Sequence, residues 1–391
     1  MFKDNKSFFS FLYNNEVRAF LFQVIALVAT LYVFYAAVDN MFVNIESRGI
    51  KTGFGFLEAE AGFDIAEYLI AYSPSSSNLR VFYVGLVNTL VVSFTGIVFA
   101  SLLGLVIGIA RLSSNYLIAK LATGYIELFR NIPILLQILF WYNIILISFP
   151  HPRQSLEFFD TIFLNLRGIY LPRPVLESGF IWVIVAFAIG VVLKVLMKRH
   201  FDKKHDETGV QKQTLGYSTL LVVGLPLATY FALGSPMDFD YPALKGFNFR
   251  GGMSVSPEFL ALAFALSVYT ATYIAEAIRS GIESVNKGQK EAALAMGLTQ
   301  TQSLKMVILP QALRVAIPPI INQYLNLTKN SSLAAAIGYS ELVSTFTGTV
   351  LNNVGQAVEI ILMTMAVYLT ISLVISLVLN VVNHKMRIQS R

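Results

Sequence analysis

Apolar residues along this chain come in long unbroken runs, not in the short alternations of a soluble core. Runs of roughly 20 residues, enough for a helix to cross a ~30 Å hydrocarbon layer, recur at roughly 19–38, 81–110, 121–149, 179–197, 215–233, 257–278, 313–339 and 357–382. They predict an all-α polytopic membrane protein with about eight transmembrane helices. Between the runs the pattern changes. "FLEAEAGFDIAEYLIAY", Phe56 to Tyr72, has the rhythm of an amphipathic helix lying on a membrane surface, although a packing collar is the favoured account, and the turn-rich "SPSSSN" follows it. The charged "KRHFDKKHDETGVQKQ" reads as a solvated loop between two runs. The predicted organisation is an anchor span and loop over 1–79, a first helical part over 80–150, an inserted helical hairpin over 151–256, and a second part over 257–391 that holds a polar segment at 281–312.

Composition supports the membrane reading. The chain is 55% hydrophobic and 13% charged, with mean hydropathy +0.63. It has no cysteine, which excludes disulfides, thiol chemistry and Cys-based metal sites. The first run follows 18 mixed residues and no small-residue cleavage site closes it, so it is predicted to stay as an anchor. Of the 29 Lys and Arg, nineteen fall on one set of loops and eight on the other, with Arg130 and Lys329 in or near spans. Cytoplasmic loops carry the excess, so both termini are predicted to be cytoplasmic. The net charge of +6 is thereby a matter of topology; no aromatic-interleaved basic patch points to nucleic acid.

Enzymatic signatures are missing. No G-x-x-x-x-G-K-[ST] loop is present to cradle a nucleotide, and no H-E-x-x-H. His151, His200, His205 and His384 are too scattered for a metal set. No catalytic residue, metal or cofactor is expected, and uphill transport would draw its energy from a gradient or from another polypeptide.

One segment stands out against this background: "EAALAMGLTQTQSLKMVILP", Glu291 to Pro310. Glu291 to Met296 are strong helix formers, Gly297 ends or bends that helix, and Leu304, Val307 and Ile308 resume at helical spacing. Ala292, Ala293 and Ala295 leave little bulk, so another protein could approach the backbone closely. Such a knob suits docking better than catalysis.

The spacing of Glu291-Ala292-Ala293, Gly297 and Leu309-Pro310 resembles the EAA motif of permease subunits of ABC importers, with Val307 where the family usually has Ile. The flanks "TYIAEAIRSGIESVNKGQKEAA" and "LPQALRVAIPPIINQYLNLTKNSSL" are similar to its polar amino acid branch, as are "GLVNTLVVSFTGIVFASLLGLVIGIARLS" and "YIELFRNIPILLQILFWY". The eight-span layout, the "GFGFLEAEAGF" loop and the insertion look most like the longer general L-amino acid permease subunits.

The resemblance implies a five-helix type I importer core plus an N-terminal span and a two-span insertion, in a bacterial inner membrane. It implies that Glu291, Ala292, Ala293, Met296, Gly297, Leu309 and Pro310 couple to a cytoplasmic ATPase dimer, which hydrolyses the ATP. The implied partners are a second related permease, a periplasmic or extracellular amino-acid-binding protein, an amino acid substrate and membrane lipid.

A zwitterion crossing the membrane needs partners for an ammonium and a carboxylate, and charges within spans are functional candidates. Lys329 leads the set, with Asn330, Ser331 and Ser332 after it, where a broken helix could expose backbone amides. The family usually has Lys-Asp-Thr-Ser-Leu here; Asn330 in place of the acid points to neutral, acidic or broad specificity. Asn88, Thr89, Gln137, Tyr269 and Thr272 are further pathway candidates, although Ser and Thr often only bond back to a helix carbonyl. Glu127 with Arg130, and Glu276 with Arg279, sit three apart as intrahelical pairs or parts of an inner gate. Glycines 85, 96, 104 and 108 predict close helix contact. Two other functions stay open at this point, a gradient-driven secondary amino acid carrier and a membrane-anchored scaffold.

Overall fold

The computed structural model describes residues 15–208, 215–246 and 248–386. Lys3, Lys6, Lys212, Arg387 and Arg391, which entered the charge count, lie outside the described residues. The helices in chain order are α1 (Asn15–Ser47), α2 (Asn78–Arg111), α3 (Tyr116–Asn131), α4 (Ile134–Ser148), α5 (Phe180–Thr208), α6 (Leu215–Thr219), α7 (Leu225–Ala232), α8 (Pro257–Glu283), α9 (Lys287–Ala295), α10 (Gln300–Ser303), α11 (Leu309–Asn330), α12 (Leu351–Val354) and α13 (Ala357–Met386).

Six helices among the described residues are long and apolar enough to cross a membrane, and a seventh span results if α3 and α4 count as one. The sequence predicts eight, and two of its runs account for the difference. The run at 121–149 is two helices meeting at 103°, broken where Ile132 is held extended before Pro133. The run at 215–233 is a 17-residue helical stretch, Gly216–Ala232, interrupted by a π-turn at Leu220–Gly224. At 1.5 Å per residue it reaches only about 26 Å, short of the ~30 Å core. The run at 313–339 is one end of a longer helical stretch, Gln300–Ile337.

The chain separates into two compact units. The first gathers the described residues up to Thr89 with Ser340–His384. Its core is Phe56, Ala61, Ile65, Tyr72, Val81, Val84, Leu342, Phe346, Val350 and Ile360. Of the two accounts of Phe56 to Tyr72, the packing collar fits and the amphipathic surface helix does not form. A 3-10 turn at Gly55–Leu57 leads into an irregular loop closed by an antiparallel bridge between Glu60 and Ser77, and Gly62 takes a φ of +73° that a helix cannot contain. The apolar residues that suggested a membrane face instead fill this core. Gln356 and Glu359 fasten the preceding loop by bonding the carbonyl and the N–H of Gly53.

The second unit is built from Leu90–Tyr339 around α8, the most buried of the apolar helices. Ser256 caps α8 by accepting from the Phe259 N–H, and Pro257 occupies its first turn, where a missing N–H costs nothing. Ala261, Leu262, Ala265, Leu266 and Ile274 face the core. The close contact predicted at Gly104 is present: a Cβ there would lie 2.7 Å from Ile274, so the absent side chain lets α2 lie against α8.

Between α4 and α8 the chain also forms eight short strands that no apolar run signals. They are β1 (Leu156–Phe158), β2 (Ile162–Asn165), β3 (Gly168–Leu171), β4 (Arg173–Leu176), β5 (Met237–Asp240), β6 (Ala243–Lys245), β7 (Asn248–Arg250) and β8 (Met253–Val255). They pair antiparallel as β1-β2-β3-β8, β4-β5 and β6-β7. Because β4 leads into α5 and β5 follows α7, their pairing brings the two ends of the α5–α7 stretch together on one side.

Candidate functional site

The polar segment folds as a local capping programme. Asn286 starts α9 by accepting from the Gly288 N–H. At its end the Gly297 N–H donates to the Leu294 carbonyl (3.0 Å) and the Leu298 N–H to the Ala293 carbonyl (3.2 Å), the bond pattern of a Schellman ending. That ending needs a left-handed residue, and Gly297 has φ +82°. Thr299 then opens α10 with a reciprocal capping box to Gln302. A π-turn at Leu304–Ile308 passes the chain to α11, whose first turn holds Pro310.

The knob presents Glu291, Ala292, Ala295 and Met296, which is 75% exposed, to the outside. Leu309 and Pro310 are exposed as well. Ala293 is not: it is 1% exposed and faces inward, so the small surface is carried by Ala292 and Ala295 alone. The segment holds no nucleophile beside a base. It offers shape.

The pathway candidates divide between the units. In the second, Lys329 is exposed at the end of α11 and takes no part in the ion pairs among the described residues. Asn330 is half-buried, and the helix continues as a 3-10 turn over Ser331–Ile337. The Ser331 hydroxyl donates to the Thr328 carbonyl and that of Ser332 to the Lys329 carbonyl, so the turn closes on itself. Gln137 is buried and donates to the carbonyls of Phe129 and Ile132, bracing the α3–α4 break, while its Oε1 has no partner among the described residues. Thr272 bonds back to Tyr269, whose hydroxyl meets that of Tyr273 at 2.9 Å.

The charged candidates form a larger network than pairwise spacing suggests. Glu276 meets Arg279 at 2.5 Å and also Arg111, the last residue of α2, while Arg279 reaches on to Glu283. No ion pair joins Glu127 to Arg130 among the described residues. The Arg130 guanidinium lies instead 5.1 Å from the Tyr273 ring centre, a cation–π contact from α3 to α8. Arg111 belongs to this network, and its position at the end of an apolar run had marked it only as a loop charge.

In the first unit, Asn88 and Thr89 meet a residue that the sequence reading missed, Glu341. It is fully buried between the spans. Its carboxylate accepts from the Val343 and Ser344 N–H groups at 2.9 and 2.7 Å and from the Tyr368 hydroxyl at 3.1 Å. Thr89 accepts from the Leu342 N–H, and the Asn88 amide donates to the carbonyls of Glu67 and Ser340. Burial pushes the Glu341 carboxyl up to about 7, against the lowering pull of the Val343 and Ser344 amides and the Tyr368 and Thr89 hydroxyls. An acid in a largely apolar stretch, with no Lys or Arg between Lys329 and Lys385, was the available signal.

Comparison with known proteins agrees with this architecture. A family model described as binding-protein-dependent transport system inner membrane component matches residues 218–388. The permease protein YhdX of Escherichia coli (strain K12) is 52% identical over 97% of this chain and 96% of its own length. The general L-amino acid transport system permease protein AapQ of Rhizobium johnstonii is 45% identical over 98% and 96%. The glutamate/glutamine/aspartate/asparagine transport system permease protein BztB of Rhodobacter capsulatus is 38% identical over 97% and 96%. With apolar spanning helices, no nucleotide loop of its own and these full-length relatives, the chain belongs to the inner-membrane permease subunits of ABC transporters.

Proposed function

We propose that this chain forms one half of an amino acid translocation pathway and receives the work of a separate ATPase through Glu291–Pro310. The observation that carries the reading is the exposed knob ended by Gly297, a small-residue surface held rigid by caps at both ends. Glu291, Ala292, Met296 and Gly297 would sit in a cleft of the ATPase, with Leu309 and Pro310 leading the motion into α11. A second, related permease completes the pathway, and a soluble amino-acid-binding protein delivers substrate from outside. Both termini face the cytoplasm, supported by the nineteen-to-eight division of Lys and Arg in the eight-run layout, and by the β4–β5 pairing, which returns the α5–α7 hairpin to the side it left.

Lys329 is the residue proposed to meet the substrate carboxylate, because it is an exposed cation at the end of a spanning helix. Asn330 beside it removes the acid that would favour cationic side chains. Names of relatives that include general L-amino acid and glutamate/glutamine/aspartate/asparagine transport support a neutral, acidic or broad substrate range.

The test is reconstitution of the chain with its ATPase, partner permease and binding protein in vesicles. Uptake of labelled glutamate or glutamine should require ATP and the binding protein. Uptake that persists without ATP under an ion gradient would overturn the reading in favour of a carrier.

A further inference from the structure

A groove of about 780 Å³ lies in the second unit and is unrelated to the coupling knob. Its walls come from α2 (Phe99, Val106), α4 (Trp141) and α8 (Ala263), with Phe149, Leu164 and Ile169 among its lining from the turn after α4 and from β2 and β3. The lining is carbon almost throughout. Ser267 stands on the wall, but its hydroxyl is spent on the Ala263 carbonyl. An amino acid zwitterion would lose its hydration there with nothing in return. A methylene takes about the ~30 Å³ of a liquid water, so one 16-carbon chain would fill somewhat more than half of the groove.

Two arginines belong to the turns that bear Phe149, Leu164 and Ile169. The Leu166 N–H donates to the Pro150 carbonyl at 2.9 Å, tying the β2–β3 turn to the segment after α4. Arg167 sits in that turn between Leu164 and Ile169, and Arg153 follows Phe149 by four residues; both are exposed. The turn is rigid, because the fully buried Asn165 accepts from the Arg167 N–H (2.9 Å) and donates to Ser155 (3.0 Å). An apolar slot in spanning helices with cations at one end has the charge and shape of an anionic phospholipid.

We propose that the groove binds an anionic phospholipid, one acyl chain lying against Phe99, Trp141 and Ala263 and its phosphate meeting Arg153 and Arg167. The site is independent of the transport reading.

The test uses the full chain, with the subunits that purify with it, in bilayer discs containing phosphatidylglycerol or phosphatidylcholine bearing a photoreactive acyl chain. Labelled peptides are mapped by mass spectrometry. Label is expected in the peptides of Phe99–Val106, Trp141–Phe149 and Phe259–Val268. It should saturate at low mole fraction and be competed by unlabelled phosphatidylglycerol roughly thirtyfold better than by phosphatidylcholine, the scale of two surface cations acting on an anionic headgroup. Arg153→Gln with Arg167→Gln should erase that preference, and Ala263→Phe should cut groove labelling several-fold. Label spread evenly over all exposed spans without competition overturns the proposal, since that is bulk lipid. So does an unlabelled groove in which a photoreactive benzophenone side chain placed at Phe99 or Phe264 cross-links to the second permease, since a protein then covers it. The competition arm needs no variant, so poor folding of one does not remove the test.

Discussion

The capped knob at Glu291–Pro310, proposed to couple to the ATPase, and the buried segment around Glu341 are both irregular stretches between helices, and they are held in opposite ways. The knob is made by neighbours in sequence: Asn286, Gly297, Thr299 and Gln302 each act within a few residues. The segment around Glu341 is made by distant ones, with Thr89 bonding Leu342 and Asn88 bonding Ser340 across more than 250 residues, and Tyr368 reaching in from α13. A surface can be exposed and keep its shape if its backbone is self-sufficient. A break within a membrane protein must satisfy its polar groups from elsewhere, since nothing around it will.

The largest expected effect is at the knob. Gly297→Asp places a side chain in the left-handed ending and a charge on the docking surface. It should reduce ATP-dependent uptake at least about tenfold and weaken ATPase co-purification while leaving membrane insertion intact; the strain alone is only about 1–2 kcal/mol. Normal uptake and normal co-purification would remove the coupling assignment.

Glu341 sharpens the other side of the comparison through pH. Its carboxyl titrates near 4.5 when unfolded and at about 7 when folded, so the folded state holds the proton more tightly. Stability should therefore fall as pH rises from 4.5 to 7 and level off above, by at most about 3 kcal/mol. Thermal unfolding in detergent should show this slope, and Glu341→Gln should flatten it. An unchanged slope in that variant would mean that other groups carry it.

Gly104→Val probes long-range packing within the second unit. Its Cβ alone would overlap Ile274, and overpacking of this kind costs about 1–3 kcal/mol, read as a lowered melting temperature. The smallest effect is expected for Thr299→Ala, which removes the capping box of α10 for about 1 kcal/mol. Hydrogen exchange should quicken at Gln300–Ser303 with little loss elsewhere, and a global loss of stability would show that the knob is less local than its caps imply.

Much of the fold was legible because hydrocarbon imposes a simple rule, apolar length for each crossing. That rule finds α1, α2, α5, α8 and α13 directly. It misleads where helical continuity fails inside an apolar run, as at Ile132-Pro133 and at Leu220–Gly224. It is silent on the strands, which are three or four residues each and are decided by partners such as β3 with β8. Of the site, the knob was readable with the exception of Ala293, whose inward turn depends on what lies beneath it. Glu341 and Arg111 were not readable, because a lone charge becomes meaningful only beside its partners.

By itself, then, the sequence determined that this chain lives in a membrane, brings no nucleotide loop of its own, and carries a capped glycine knob. These follow from local composition and from hydrogen bonds between near neighbours. Tertiary structure alone decided that Phe56–Tyr72 folds into a core instead of onto a lipid surface, that Arg111 joins Glu276, and that Glu341 is buried with Thr89 and Tyr368. Each of those depends on burial and pairing between residues far apart in the chain, where the cost of an unsatisfied polar group, and not local preference, selects the arrangement.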